Sequence, residues 1–248
     1  MLEICILMNH GIIVIPTYNE IENIESIIRA VFSLQKPFHI LIVDDNSPDG
    51  TAQKVAELQE EFSDRLFLKI RTKKSGLGTA YVDGFKWALK RDYSYIFEMD
   101  ADFSHNPNDL EKLYEACHLD KNDVAIGSRY VTGVNVVNWP LSRVLLSYFA
   151  SVYVRLITGM QIHDATAGFM CYRREVLEKI NLDKIKFVGY AFQIEMKYRS
   201  YSNNFKLYEV PIIFTDRAQG QSKMSGAIIK EAIFGVISLR LKKLFNRL

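Results

Sequence analysis

The sequence predicts an α/β fold: a mainly parallel central sheet with helices on both faces. Three observations predict it. Short β-branched runs alternate with segments of helical periodicity. The runs are apolar throughout rather than every second residue, as in strands covered on both faces. Each run stops at a segment rich in Asp, Asn, Ser, Pro or Gly.

The elements follow in order. Ile12-Ile13-Val14-Ile15 reads as a buried strand ended by Pro16. Asn19 and Glu20 open a helix whose apolar positions Ile21, Ile24, Ile27, Ile28 and Val31 keep helical spacing. Ile40-Leu41-Ile42-Val43 is a second strand, cut off by the acidic turn from Asp44 to Gly50, which caps a helix starting near Thr51. Residues 66–70 form a third strand. Gly76 to Gly78 open a helix reaching about Lys90. Tyr95 to Met99 is a fourth strand, stopped by Asp100-Ala101-Asp102. Residues 124–224 are less regular and read as elaboration of the same domain on the acceptor side. A helix follows from Ser225. The division expected is a catalytic domain over 10–224 and an amphipathic C-terminal helix over 225–248. Sheets of this kind bind ligands beyond the C-terminal strand ends. Here those ends carry Pro16 to Glu20, Asp44-Asp45 and Asp100-Ala101-Asp102, so three strand ends aim carboxylates at one crevice.

Composition narrows the class. The 248 residues are 48% hydrophobic and 24% charged, with net charge +2, which excludes a disordered chain and gives no charge basis for nucleic-acid binding. Three cysteines, Cys5, Cys117 and Cys171, with no CxxC spacing, exclude a disulfide framework or a zinc site. The charge-free apolar stretches are 11 residues (144–154) and 8 residues (232–239). Both fall short of the roughly 20 a bilayer span needs. The N-terminus lacks a basic start and a full apolar core, so it does not read as a signal peptide, and Met8 offers an alternative start. The expectation is a cytoplasmic chain.

Two carboxylates at i and i+2 directly after a strand can share one hard divalent cation, Mg²⁺ or Mn²⁺, with diphosphate oxygens filling its other positions. Alone, D-x-D is a common solvated turn; the strand before it and the second acidic strand end favour the metal reading. Asp44-Asp45 reads either as a helix-capping pair or, at Asp45, as a contact to a ribose or base edge. Glu20 is open between a first-turn helix carboxylate and a ligand, and Tyr18 between packing and binding.

At these residues the sequence resembles the inverting, nucleotide-sugar-dependent family 2 glycosyltransferases. The motifs are PTYNE (16–20), VDDNSPDGT (43–51), SGLGTAY (75–81) and MDADFSHNP (99–107). Further motifs narrow the likeness to the dolichyl-phosphate (polyprenyl-phosphate) mannosyltransferases: GSRYVTG (127–133), Trp139-Pro140 with Arg143, DATAGFMCYRREVL (164–177) and RAQGQSK (217–223). The resemblance covers residues 10–224. It implies a nucleotide-diphospho-sugar transferase (GT-A, Rossmann-like) fold. It implies transfer of mannose from GDP-mannose to a polyprenyl monophosphate with inversion. Pro16, Tyr18, Glu20, Val43 and Asp45 would line the nucleoside pocket, and Asp100, Ala101 and Asp102 would hold diphosphate and metal. Arg129, Arg143 and Ser147 would grip the acceptor phosphate, and Arg217 and Lys223 would close over the donor from a mobile loop flanked by Gly220 and Gly226. The alternatives left open are a UDP-sugar donor (glucosyl or aminosugar transfer) and a non-catalytic nucleotide-sugar-binding subunit.

The sequence departs from that pattern in three places. Ser104 stands where some relatives use Gln as a further metal contact. The run Gly133 to Trp139 is poorer in glycine. Many relatives carry transmembrane helices after the catalytic domain, and this chain has none. A lipid acceptor therefore calls for docking at the cytoplasmic face of a membrane, peripherally or with a membrane-anchoring partner protein. The tail suits this: Ile229, Ile233, Val236, Ile237, Leu241, Leu244 and Phe245 are apolar, and Arg240, Lys242, Lys243 and Arg247 are basic. The stretch 144–154 is a second candidate docking element. Each could instead pack on the core.

Overall fold

The computed structural model describes residues 11–189, 191–216 and 226–245, and of 226–232 the backbone only. Its first half alternates strand and helix as expected: β1 (Gly11–Thr17), α1 (Ile24–Phe32), β2 (His39–Asp44), α2 (Thr51–Glu61), β3 (Leu66–Ile70), α3 (Leu77–Leu89) and β4 (Tyr95–Glu98). There follow α4 (Asp109–His118), β5 (Val124–Ser128), β6 (Val136–Val137), α5 (Leu141–Thr158), β7 (Met170–Arg173) and α6 (Arg174–Lys179). The chain continues through a 3-10 turn over Leu182–Lys184, α7 (Ala191–Ser202), β8 (Leu207–Pro211), β9 (Phe214–Thr215) and α8 (Gly226–Leu244).

Seven strands form the main sheet in the order β3-β2-β1-β4-β7-β5-β8. The pairs β1–β2, β1–β4, β2–β3 and β5–β8 are parallel, and β7 runs antiparallel between β4 and β5. Strand alternation feeds two cores. Ile12, Val14, Leu41, Val43 and Ile96 face α3 and α7; Ile13, Ile15, Ile40, Ile42 and Phe97 face α1, α2 and α4. The helices therefore lie on both faces, as the all-apolar strands require.

Three boundaries differ from the sequence reading. β1 continues through Pro16 to Thr17. The register with β4 ends at Val14, so nothing on that side needs an N–H from Pro16. α1 starts at Ile24, because Asn19 takes φ 61° and the chain turns before it winds. The irregular second half supplies β5, β7 and β8 to the same sheet, so it is more than elaboration. β7 is four residues long and gives little pattern to read.

Helix α5 is 18 residues and is long and apolar enough, by length and composition, to cross a membrane. The charge-free count of 11 missed this, since Arg143 and Arg155 sit inside the two ends of the helix. Its Ser151, Val154 and Thr158 are buried, while Leu145, Leu146, Tyr148, Phe149 and Leu156 are exposed. α8 sends Val236 and Leu239 into the α3/α7 core and leaves Phe234, Ile237, Leu241, Leu244 and Phe245 exposed. Each helix thus has one face on the core and one face uncovered. α3 lies very close to the sheet: a Cβ on Gly84 would sit 2.4 Å from Val14 Cγ1.

Candidate functional site

The ends of β1, β2 and β4 lie side by side in the sheet, but of their carboxylates only Asp100 and Asp102 line the cavity described below. Asp44, fully buried, accepts hydrogen bonds from Thr17 Oγ1 (2.7 Å), Ser47 N (2.8 Å) and Ser47 Oγ (2.6 Å). It stitches the β1 and β2 ends together. Asp49, two residues ahead of α2, accepts from Thr51 N (3.0 Å), Thr51 Oγ1 (2.6 Å) and Ile21 N (3.1 Å), tying the turn after β1 to the start of that helix. The capping reading fails for Asp44, whose partners Thr17 and Ser47 both lie outside α2. Asp45 itself faces Arg71, 2.9 Å from Nη1, at an angle that makes no hydrogen bond. Burial raises the Asp45 pKa, with Arg71 opposing. Lys74 lies 3.9 Å above the Tyr18 ring. Tyr18, Asp45, Arg71 and Lys74 therefore form one charged, aromatic recess at the end of β2. The Glu20 backbone N–H donates to Thr51 Oγ1 at 3.0 Å. Val43 is buried in the core, as is Ala101, so their contribution to any ligand runs through the main chain.

Beyond β4, Asp100 Oδ1 accepts from the Tyr81 hydroxyl at 3.1 Å, and Asp102 Oδ1 from Ser104 N at 3.0 Å. Burial beside Asp100 pushes the Tyr81 hydroxyl pKa well up, which keeps it a donor. Ser104 spends its N–H on Asp102. Among the described residues no third acidic, His or Cys side chain joins the pair. A hard cation fits this donor set only as a shared ion, with the diphosphate supplying the rest of its oxygens.

Asp100 and Asp102 line a cavity of about 380 Å³. Its polar end also holds Arg129, Arg143, Ser147 and Trp139. Away from them the wall is apolar: Leu146, Phe149, Tyr153 and Val154 of α5, and Ile233 and Val236 of α8. The two docking candidates of the sequence are therefore the two sides of one groove, and it opens beside the carboxylates.

The arginines are held differently. Arg129, 7% exposed, clasps buried Asp164 through Nε (2.7 Å) and Nη2 (2.6 Å), and its own N–H donates to the same carboxylate at 3.0 Å. Nη2 also donates to Thr166 Oγ1 at 2.8 Å. Burial pushes the Asp164 pKa up, and the Arg129 charge and hydrogen bonds outweigh it, so the net shift is downward. Arg143 pairs with Asp216 at 2.9 Å and lies 4.0 Å over the Trp139 ring, half-buried. The Arg129 guanidinium is 5.4 Å from the same ring. Trp139 Nε1 is buried with no hydrogen-bond partner among the described residues. Arg217 and Lys223 lie outside the described residues.

Sequence reasoning missed a buried polar layer beneath the cavity. Fully buried Glu98 of β4 accepts from Tyr172 (2.7 Å) and Gln193 (2.6 Å). Burial pushes the Glu98 pKa up to about 7 and the Lys197 pKa down to about 8. His105, stacked 4.8 Å from Phe169, is pushed down to about 4 by burial, so it is neutral at ordinary pH. Arg71 and Lys74 were also missed; no fixed spacing ties them to Asp45. Lys197 had a signal, a lysine amid Phe192, Ile194 and Met196 on a buried helix.

A profile of the glycosyl transferase family 2 matches residues 12–181. Polyprenol monophosphomannose synthase of Mycolicibacterium smegmatis is 48% identical over 236 residues, spanning 95% of this chain and 89% of that one. Undecaprenyl-phosphate mannosyltransferase of Micrococcus luteus is 43% identical over 223 residues, 90% of each. Among solved structures, glucosyl-3-phosphoglycerate synthase from Mycobacterium tuberculosis, in complex with Mn²⁺, UDP and phosphoglyceric acid, superposes with a TM-score of 0.67. It shares 15% identity, covering 95% of this chain and 78% of that one, a likeness of fold. By its motifs, its sheet and these matches, the chain belongs to glycosyl transferase family 2.

Proposed function

We propose that the protein transfers mannose from GDP-mannose to a polyprenyl monophosphate at a membrane surface, with inversion, giving polyprenyl β-mannosyl phosphate and GDP. One observation carries the reading. The cavity joins a polar end, Asp100 and Asp102 with Arg129 and Arg143, to an apolar groove between α5 and α8. That is the shape of an anion on a hydrocarbon chain. The names of the two relatives, acting on polyprenyl phosphates, support the same substrate class.

The chemistry follows from the charges. Asp100 and Asp102 would hold Mg²⁺ or Mn²⁺, which when bound neutralises the leaving diphosphate. Tyr18, Glu20 and Asp45, with main-chain contacts from Pro16, Val43 and Ala101, bind the nucleoside and the donor's reach to the metal. Arg71 and Lys74 add positive charge beside that recess. Arg129, Arg143 and Ser147 receive the acceptor phosphate, with the Trp139 N–H as a further donor. Arg217 and Lys223, by the motif that carries them, would add positive charge for the diphosphate. A phosphomonoester with second pKa near 6 is largely dianionic at neutral pH. Its oxygen attacks the anomeric carbon without a strong general base, and the C–O bond to the diphosphate breaks on the opposite side. Positioning and electrostatics supply the acceleration. The exposed apolar faces of α5 and α8 meet the bilayer that holds the acceptor.

The test is a donor screen with a short polyprenyl phosphate, with and without Mn²⁺. GDP-mannose should give β-linked product, read by NMR at the anomeric carbon, and GDP should compete better than UDP. An α-linked product, or preference for a UDP-sugar, defeats the reading.

A further inference from the structure

Gln193 of α7 is buried at the cavity wall. Half of its amide is committed, since Nε2 donates to Glu98 Oε2 at 2.6 Å. The other half is not. Oε1 is buried and accepts no hydrogen bond from any described residue. A buried carbonyl left without a donor is costly, so one at a cavity wall calls for a ligand that completes it.

The amide cannot readily turn over. Both Glu98 oxygens accept, one from Tyr172 and one from Gln193, the pattern of a carboxylate. Reversing the amide would set Oε1 against that carboxylate. Lys197, one turn further along α7, fixes the backbone: Nζ donates to Ala167 O at 2.5 Å and to Gln193 O at 3.3 Å. Its positive charge offsets Glu98 where water reaches neither. Gly168 packs against the side chain, and a Cβ there would come 3.4 Å from Gln193 Nε2. Glu98 and Lys197 are thus positioning residues for one unpartnered acceptor, buried in a residue of the cavity wall.

The cavity's intended occupants decide what that acceptor meets. A diphosphate and a dianionic lipid phosphate present acceptor oxygens only. The donor carries O–H groups on its ribose, which in this reading sits in the recess at the end of β2, and on the transferred sugar, the part that meets this cavity. We propose that Gln193 recognises a hydroxyl of the transferred sugar, its amide oxygen held in place by Glu98. The inference rests on reading the cavity as a sugar-transfer site. A site built to complete a substrate hydroxyl discriminates strongly against an analogue that lacks it.

The experiment uses GDP-mannose and donors singly deoxygenated at each position, against the full-length protein and Gln193→Met. In the wild type, one deoxy donor should lose about tenfold or more in kcat/KM. Gln193→Met should lose a similar factor with GDP-mannose and show no further loss with that same deoxy donor. Its affinity for GDP with Mn²⁺ should stay unchanged. Wild-type indifference to every deoxygenation overturns the proposal without needing any variant. An equal loss against all donors, or an altered Mn²⁺ dependence, also overturns it, since that marks a metal or packing role. The same comparison read as binding, GDP-mannose against GDP, needs no turnover. If transfer fails but the sugar's added affinity still depends on Gln193, the functional reading falls and this inference stands. If transfer proceeds and Gln193→Met changes neither, this inference alone falls.

Discussion

The carboxylates at the strand ends and the arginines of the cavity are held in different ways. At the strand ends each of three carboxylates takes a short local bond, Ser47 to Asp44, Thr51 to Asp49 and Ser104 to Asp102, two or three residues apart, while Thr17 and Tyr81 add longer-range bonds to Asp44 and Asp100. The two arginines take their carboxylate partners from far along the chain, Arg129 from Asp164 across 35 residues and Arg143 from Asp216 across 73. The first kind of site is written in contiguous motifs. The second exists only after folding, and its cations depend on the fold as much as the fold depends on them.

Substitutions in each set can break that contrast. The largest effect belongs to Asp102→Asn, which should cost about a thousandfold in turnover while the melting temperature barely moves. A variant with near-normal rates in added Mn²⁺ would remove Asp102 from the metal. Next comes Arg129→Met. It leaves Asp164 buried and unpaired, so stability by denaturant titration should fall by about 3–5 kcal/mol. Arg143→Met breaks a half-exposed pair and should cost about 1 kcal/mol or less, with its main effect on acceptor KM. Equal losses at the two arginines would erase the distinction between them. The double change Leu145→Ser with Phe149→Ser should lower co-sedimentation with lipid vesicles several-fold and leave GDP binding intact. Point changes suit this better than deleting α8, which would also remove Val236 and Leu239 from the core. Unchanged sedimentation would leave the exposed faces without a membrane role.

A further prediction concerns pH. His105 is held near pKa 4 in the fold against about 6.5 unfolded, so the unfolded chain binds more protons in between. Stability of the metal-free protein should be full above about pH 6.5 and fall as pH drops towards 4. His105→Gln should flatten that slope in denaturation measured with chelator present. An unchanged slope would assign the acid sensitivity to other groups.

The same contrast explains what the sequence made legible. β1 to β4, and the acidic ends after β1, β2 and β4, were readable because buried parallel strands are largely apolar runs with abrupt polar stops. Asp45 could be singled out from Asp44 only as an alternative, since both obey the same local pattern and only packing makes Asp44 the stitch. β5 (VAIGS) and β7 (MCYR) were missed because small, sulfur-bearing and charged residues break up the continuous branched or aromatic run that marks a buried strand. The groove was half legible: the apolar stripes of α5 and α8 were visible, and their meeting beside Asp100 was not. The Glu98, Gln193 and Lys197 layer left one faint sign, polar residues on an otherwise buried helix.

The tight seat of α3 at Gly84 carries a consequence for anyone stiffening this scaffold. Exchanging a helical glycine for alanine ordinarily gains stability through helix propensity. Here the added methyl would act as a shim against Val14, 2.4 Å away. The helix would have to rise from the sheet and take Tyr81 with it, drawing that hydroxyl off Asp100. Backbone depth at a glycine thus sets the aim of an aspartate two elements away.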